Sequence, residues 1–275
     1  MNQHTLKTSL SFLGVGLHTG NPVQLRISPA PVDFGICFNR TDLGASLRAS
    51  LEFVGQTRRS TSLESRGVKV ITPEHLLSAL YGLGIDNALI DLDAPEVPIL
   101  DGSARPYVEA ILEAGLVEQD RERNWLVIDK PFRYEDRRSD SFITIEPYDG
   151  TCFDVTIDFN SRVVGVQRAC FDLSADYARE IAPCRTFCFL QEIDLLRKFG
   201  LIKGGSLDNA LVIDEPKGYV GGKKLFFDNE LARHKLLDLM GDCSLLGRPI
   251  RGKVTAWKPG HKVNTQAFKK FLETI

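Results

Sequence analysis

The sequence is short of several things, and each shortage closes off a class of protein. No apolar run reaches the roughly 18 residues that a membrane-spanning helix needs, so no membrane span is expected. Cysteine is scattered: Cys37, Cys152, Cys170, Cys184, Cys188 and Cys243 are spread over 275 residues. That is no disulfide framework, and it fits reduced thiols in a cytoplasmic setting. Cys184 and Cys188 are spaced C-x3-C without a second pair and read as packing cysteines. Neither charge sign dominates, with 34 Lys and Arg against 36 Asp and Glu and a net charge of -2. A dedicated nucleic-acid binder is therefore not expected, and Arg58-Arg59 and Arg137-Arg138 are too short and isolated to form a phosphate track. The opening residues, Met1 to Lys7, run into strand-like sequence without a signal peptide's apolar region. The glycine-rich stretch Gly14-Val-Gly-Leu-His-Thr-Gly20 lacks the spacing of a dinucleotide loop and leads into a strand, so a tight hairpin is expected. Lys203-Gly-Gly-Ser206 lacks a phosphate-loop pattern. Nothing points to an assembly partner, and a monomer is expected.

What is present suits a globular protein large enough for two domains, with 43% hydrophobic and 25% charged residues. Alternation marks strands at Leu25 to Ser28 and Gly35 to Asn39. A helix is expected from Thr72-Pro73, with Thr72 as its cap, to about Gly82-Leu-Gly84. A buried strand over Asn87 to Leu92 and a helix over Arg105 to Ala114 follow. The charged run Glu118 to Arg123 reads as a linker between a first domain, 1–120, and a second, 124–275. The second repeats the plan: strands from Trp125 to Phe159, a main helix over Asn229 to Asp242, a strand over Arg251 to Trp257, and a last helix over Asn264 to Leu272. Glu74-His-Leu-Leu-Ser and His234-Lys-Leu-Leu-Asp align around a shared Leu-Leu, which suggests a distant duplication. The segment 187–227 has no counterpart in the first half and reads as an insertion.

The main helix of the second half carries the sharpest chemical signal. His234, Asp238 and Asp242 are four residues apart and lie on one stripe, with Leu236, Leu239 and Met240 facing elsewhere. An imidazole and a carboxylate preset by one helix make two of the three protein ligands of a catalytic zinc site. A solvated polar face explains the same spacing equally well. The chain has five histidines in all: His4, His18, His75, His234 and His261. If the main helices of the two halves pack face to face, His75 completes a His75–His234–Asp238 set with Glu74 beside it. A buried, hydrogen-bonded His75 and a Glu74 that complements a helix N-terminus remain open readings. His261 lies in a turn, Lys258-Pro-Gly-His-Lys262, where it suits a general acid, with Asp242 as the carboxylate that raises its pKa.

Taken together, ordered blocks along nearly the whole chain resemble the UDP-3-O-acyl-N-acetylglucosamine deacetylases of lipid A biosynthesis. The blocks are Gly14 to Gly20, Glu74-His-Leu76, Leu83-Gly-Ile-Asp-Asn87, Asp101-Gly-Ser-Ala104, Arg185-Thr-Phe187, Gly204-Gly-Ser206, Arg233 to Asp238, Gly241-Asp242 and Gly260-His261. The resemblance implies an α+β fold of two similar domains, with the helices packed between two sheets. It implies that His75, His234 and Asp238 bind Zn2+, a set that also accepts Fe2+. Glu74 is then the base that takes a proton from water, His261 the cationic acid that assists the leaving amine, Asp242 its orienting partner and Thr186 an oxyanion donor. Lys235 is expected to meet the polar head of a small-molecule UDP-sugar lipid. The insertion is expected to form an acyl passage lined by Leu190, Ile193, Leu196, Ile202, Leu207, Ala210 and Val212, although the same residues would serve as an ordinary small core. Phe187 and Ser206 fall in matched blocks at that passage, and Lys258 and Lys262 are candidates for the diphosphate. Arg58-Arg59 and Glu146 depart from the residues usual in relatives, and the chain ends soon after its last helix.

Two other classes compete with a zinc amide hydrolase. One is a catalytically silent binder of lipid-linked sugar nucleotides, which needs neither Glu74 nor His261. The other is a metal-free dehydratase that uses Glu74 and His261 directly. Metal content separates the last from the first.

Overall fold

The computed structural model describes residues 1–275. In the first half, strands β1 (Asn2–Leu6), β2 (Leu10–Val15), β3 (Pro22–Pro29), β4 (Ile36–Arg40), β5 (Ala45–Arg48), β6 (Ser62–Ser65) and β7 (Val68–Ile71) precede helix α1 (Glu74–Gly82). Strand β8 (Ala88–Leu92), helix α2 (Arg105–Ala114) and strand β9 (Leu116–Glu122) follow. The second half begins with β10 (Leu126–Val127), β11 (Phe132–Asp136), β12 (Ser141–Glu146), β13 (Thr151–Asp158), β14 (Val166–Asp172) and the short helix α3 (Tyr177–Glu180). Then come β15 (Phe187–Phe189), α4 (Ile193–Lys198), β16 (Leu211–Asp214), β17 (Gly218–Tyr219), α5 (Glu230–Ser244), β18 (Ile250–Trp257) and α6 (His261–Leu272).

The fold is α+β, and its two main sheets share one plan. The first has the order β2-β3-β8-β4-β5, the second β11-β12-β18-β13-β14 with β10 beside β18. In each, two hairpins flank a central strand that is antiparallel to the first hairpin and parallel to the second. The alternation in β3 sends Val23, Leu25 and Ile27 inward, and that in β18 sends Ile250, Val254 and Ala256 inward. Helices α1 and α5 pack against each other, and α5 also lies on β13 and β14. One core joins side chains of both sheets to both helices, from Leu25 and Ile90 through Leu76 and Leu236 to Phe153 and Val254. Gly241 permits the helix contact, because a Cβ there would lie 2.1 Å from the carbonyl oxygen of Glu74.

Three local expectations change. The run Glu118–Arg123 is no bare linker: residues through Glu122 form β9, antiparallel to β1, which supplies the backbone partners that its charged side chains do not preclude. The same pairing ties His4, within β1, into a sheet. Thr72 does not cap α1, since its hydroxyl donates to Glu96 at 2.9 Å instead. Helix α6 starts at His261, three residues earlier than the periodicity suggests, so His261 is a buried first-turn residue and not a freely projecting one. The expected hairpin at Gly14–Gly20 joins β2 to β3. The segment 187–227 folds as a three-stranded sheet, β15-β16-β17, with α4 beside it.

Candidate active site

The stripe on α5 is not a solvated face. His234, Asp238 and Asp242 are 1%, 3% and 0% exposed, because α1 and α6 cover them. Three buried polar groups on one helix demand partners. His75, from the first turn of α1, provides one: its Nε2 lies 3.5 Å from Asp238 Oδ1, and His234 Nε2 lies 3.5 Å from the same oxygen. The ligand atoms of His75, His234 and Asp238 all fall within 4.8 Å of one another, so these residues could hold a metal ion. Two details fit a cation. His234 Nδ1 donates to the carbonyl of Cys184 at 3.0 Å, which leaves its Nε2 bare. Asp238 Oδ1 is buried and accepts no hydrogen bond. Burial pushes the His234 pKa down to about 3, so its ring is neutral, the form in which imidazole ligates metals. Burial opposes ionisation of Asp238, but Lys235, His234 and His75 outweigh it and hold the carboxyl well below its usual range.

A second pair of titratable groups borders this set. Glu74 is the first residue of α1, and its Oε1 lies 3.6 Å from His261 Nε2, while its Oε2 accepts from the Thr61 amide at 3.3 Å. Burial raises the Glu74 pKa to about 7, against the pull of His261 and His75. His261 Nδ1 donates to Asp242 Oδ2 at 3.0 Å. Burial alone would lower the His261 pKa, but Asp242 and Glu74 raise it to about 9. The two groups thus titrate apart, with the carboxylate able to accept a proton and the imidazolium able to give one near neutrality.

Around this centre the structure gathers most residues singled out in the sequence. Thr186 has its backbone clamped between the carbonyl of Gly102 and the amide of Leu211, 2.8 Å each, and it lines the same cavity. Gly102 has φ +84°, and a Cβ there would meet the Asn209 carbonyl at 2.0 Å, which accounts for the Asp101-Gly-Ser block. Phe187, Lys235, Lys258 and Lys262 line this cavity of about 470 Å3. Lys235 places its ammonium 2.7 Å from Asp238 Oδ2, and Lys258 pairs with Asp140 and Asp158 at 3.3 Å each. Next to it, a cavity of about 300 Å3 is lined by Leu190, Ile193, Leu196, Ile202, Ser206, Leu207, Ala210 and Val212. Thr186 and Phe187 border both cavities. The seven apolar side chains named from sequence therefore surround space and do not close into a solid core.

Comparison with known proteins decides the family. A sequence profile described as UDP-3-O-acyl N-acetylglycosamine deacetylase matches residues 3–273. The chain belongs to this family. Among members of the family, UDP-3-O-acyl-N-acetylglucosamine deacetylase of Anaeromyxobacter sp. (strain Fw109-5) is 44% identical over 98% of this chain and 88% of its own. The protein of the same name from Saccharophagus degradans is 43% identical over 100% of this chain and 90% of its own. The "Bifunctional enzyme LpxC/FabZ" of Porphyromonas gingivalis is 43% identical over 99% of this chain, which spans only 64% of that longer protein.

Some residues at the site escape a reading of the sequence. Thr61 donates its hydroxyl to Asp242 at 2.6 Å, and Asn264 donates its amide to the other Asp242 oxygen at 2.9 Å. Asn264 stands one helical turn after His261, a spacing that points to it once α6 is extended back to His261. Thr61 has no such signal. Glu96, 1% exposed, accepts from the amides of His18 and Thr19 and from the hydroxyls of Thr19 and Thr72, and so ties the β2–β3 turn to the entry of α1. His18 is buried there with neither ring nitrogen bonded, and burial lowers its pKa.

Proposed function

We propose that the chain is a zinc-dependent amide hydrolase that removes the N-acetyl group of UDP-3-O-acyl-N-acetylglucosamine in lipid A biosynthesis. The reading rests on one observation above all: a base, Glu74, and an acid, His261, flank a buried His75–His234–Asp238 set whose Asp238 Oδ1 faces both histidines and accepts no hydrogen bond. A metal-free acid/base enzyme leaves that oxygen without a function, and a silent binder needs neither Glu74 nor His261.

Zinc bound to this set supplies a Lewis acid that polarises the amide carbonyl and lowers the pKa of a water from about 16 towards about 7. Fe2+ would satisfy the same donors. Glu74 then takes the proton from the attacking water, and its buried carboxylate is a stronger base than a solvated one. The Thr186 hydroxyl donates to the oxygen that becomes negative as the carbonyl is attacked. His261 gives its proton to the departing nitrogen, so the sugar amine leaves neutral and acetate remains. Asp242 holds the His261 ring and stabilises its positive form, with Thr61 and Asn264 fixing the carboxylate in turn.

The polar cavity takes the UDP-sugar, with Lys235 at the polar head and Lys258 and Lys262 towards the diphosphate. The apolar cavity of the insertion takes the acyl chain. The division into domains at 1–120 and 124–275, the role of 187–227 as an insertion, and their origin in a duplication are supported by the equal strand order of the two sheets. A cytoplasmic monomer completes the reading. No helix is long and apolar enough to cross a membrane.

The deciding experiment is elemental analysis of protein purified without added metal, paired with acetate release from the UDP-sugar substrate. Near one zinc or iron per chain, with turnover lost and metal kept in Glu74→Ala, is expected. A protein that holds no metal and cannot be reloaded would overturn the ligand set, and turnover by Glu74→Ala would overturn the base.

A further inference from the structure

The insertion presents a second apolar surface outside the cavity it encloses. Helix α4 sends Ile193 and Leu196 to the cavity wall. Its Leu195 and the Phe199 that follows it, four residues apart and so on one stripe, are 56% and 54% exposed. Leu190 and Leu207 line the cavity and are themselves 42% and 39% exposed, so the cavity wall itself reaches the surface. Single exposed leucines are ordinary, but four large apolar side chains within one short insertion form the kind of patch that marks an interaction site.

The charge beside the patch narrows the partner. Arg197, Lys198 and Lys203 lie in the same segment, and the guanidinium of Arg58 sits 4.0 Å from the centroid of the Phe199 ring. Asp194 is the one acid on α4, and Glu192 before it is engaged by Arg59. Asp208, beside Leu207, pairs with Lys223 at 3.5 Å, so Arg197, Lys198 and Arg58 are the charges next to the Leu195–Phe199 stripe that no acid engages. Apolar side chains ringed by Lys and Arg suit a surface that is apolar within and negative at its boundary, which is the interface of an anionic bilayer.

We propose that this face of the insertion docks reversibly on an anionic lipid bilayer, with Leu195 and Phe199 inserted at the headgroup boundary and the basic residues on the lipid phosphates. The mouth of the apolar cavity then opens towards the membrane, and an acyl chain passes between bilayer and cavity with little exposure to water. The docking surface stands on its own geometry, while its purpose rests on the deacetylase reading.

Flotation of the full chain with vesicles of phosphatidylglycerol and phosphatidylcholine, and with phosphatidylcholine alone, tests the proposal. Binding to the anionic vesicles at low salt, and release at high salt, is the expected result. The double variant Leu195→Ser, Phe199→Ser should lose about tenfold or more in vesicle affinity, and Lys198→Glu roughly fivefold or more. Both should keep wild-type turnover on detergent-dispersed substrate, which also shows that they fold. An active wild type that ignores anionic vesicles, or a double variant that binds them undiminished, would overturn the docking and leave the deacetylase reading intact. A wild type that self-associates through Leu195 and Phe199, without binding lipid, would equally overturn it. Vesicle binding by a chain without turnover on dispersed substrate would uphold the docking and overturn the deacetylase reading.

Discussion

The centre between α1 and α5 and the cavity of the insertion lie side by side and share Thr186 and Phe187, yet they are built on opposite principles. The centre is polar, buried and drawn from α1, α5 and α6, so its atoms are held by packing except where they face the polar cavity. Its hydrogen bonds fix particular rings: the Cys184 carbonyl orients His234, and Asp242 orients His261. The cavity is apolar and comes from a small sheet and a six-residue helix at the surface. Any side chain of suitable size would wall it. One region therefore depends on where particular atoms are, the other on how much room is left, and chemistry and chain-length preference should vary independently.

That contrast can be broken most directly at the centre. Asp238→Ala removes the carboxylate that faces both histidines, and on the proposed reading it should abolish both bound metal and turnover by elemental analysis and acetate release. Glu74→Ala should lower kcat by about a thousandfold while metal content holds. Loss of metal together with turnover would make Glu74 a structural residue. Thr186→Val keeps the shape and removes the donor, with a loss of roughly a hundredfold in kcat expected, and an unchanged kcat would remove it from the mechanism.

The pH profile sharpens the same contrast. Glu74 must be deprotonated to act as a base, so kcat/KM should rise as pH passes upward through its pKa, about 7 for the chain without metal. A bound cation favours the carboxylate and moves this limb to lower pH. His261 must be protonated, so activity should fall as pH passes upward through about 9. In Asp242→Asn the falling limb should move to lower pH, because the carboxylate that most raises the His261 pKa is gone. A falling limb that stays in place would assign it to another group.

The smallest expected effect lies in the cavity. Val212→Phe should leave kcat for short-chain substrates nearly unchanged and shift preference to shorter acyl chains, by about fourfold in kcat/KM for each methylene displaced. Equal losses for all chain lengths would show that the cavity does not hold the chain.

How far the site is legible in the sequence follows from the same contrast. His234 and Asp238 can be paired from spacing alone, because one helix sets both. Whether that stripe meets solvent or another helix cannot be read locally, and the answer came from α1, whose His75 is far away in sequence. The ordered motif blocks supply that pairing through resemblance. Thr61 and Glu96 stay hidden because each acts through one tertiary hydrogen bond or a few, with no periodic signature. The edge ribbon of β1 and β9 is missed for a related reason: a charged run forms a strand when a neighbouring backbone offers a ladder. The apolar residues of the insertion can be identified from sequence, but residue types do not tell a filled core from a walled space.

Gly241 carries one more consequence. It brings α5 within a methyl group's reach of the carbonyl of Glu74, so Glu74 is seated by a residue made long after it on the ribosome. His75 and Glu74 emerge first, and His234, Asp238 and His261 follow only as synthesis nears the last helix. A nascent chain therefore carries Glu74 without His261, and His75 without His234 and Asp238. On the proposed reading, hydrolytic competence arises only when the late helix has closed on the early one.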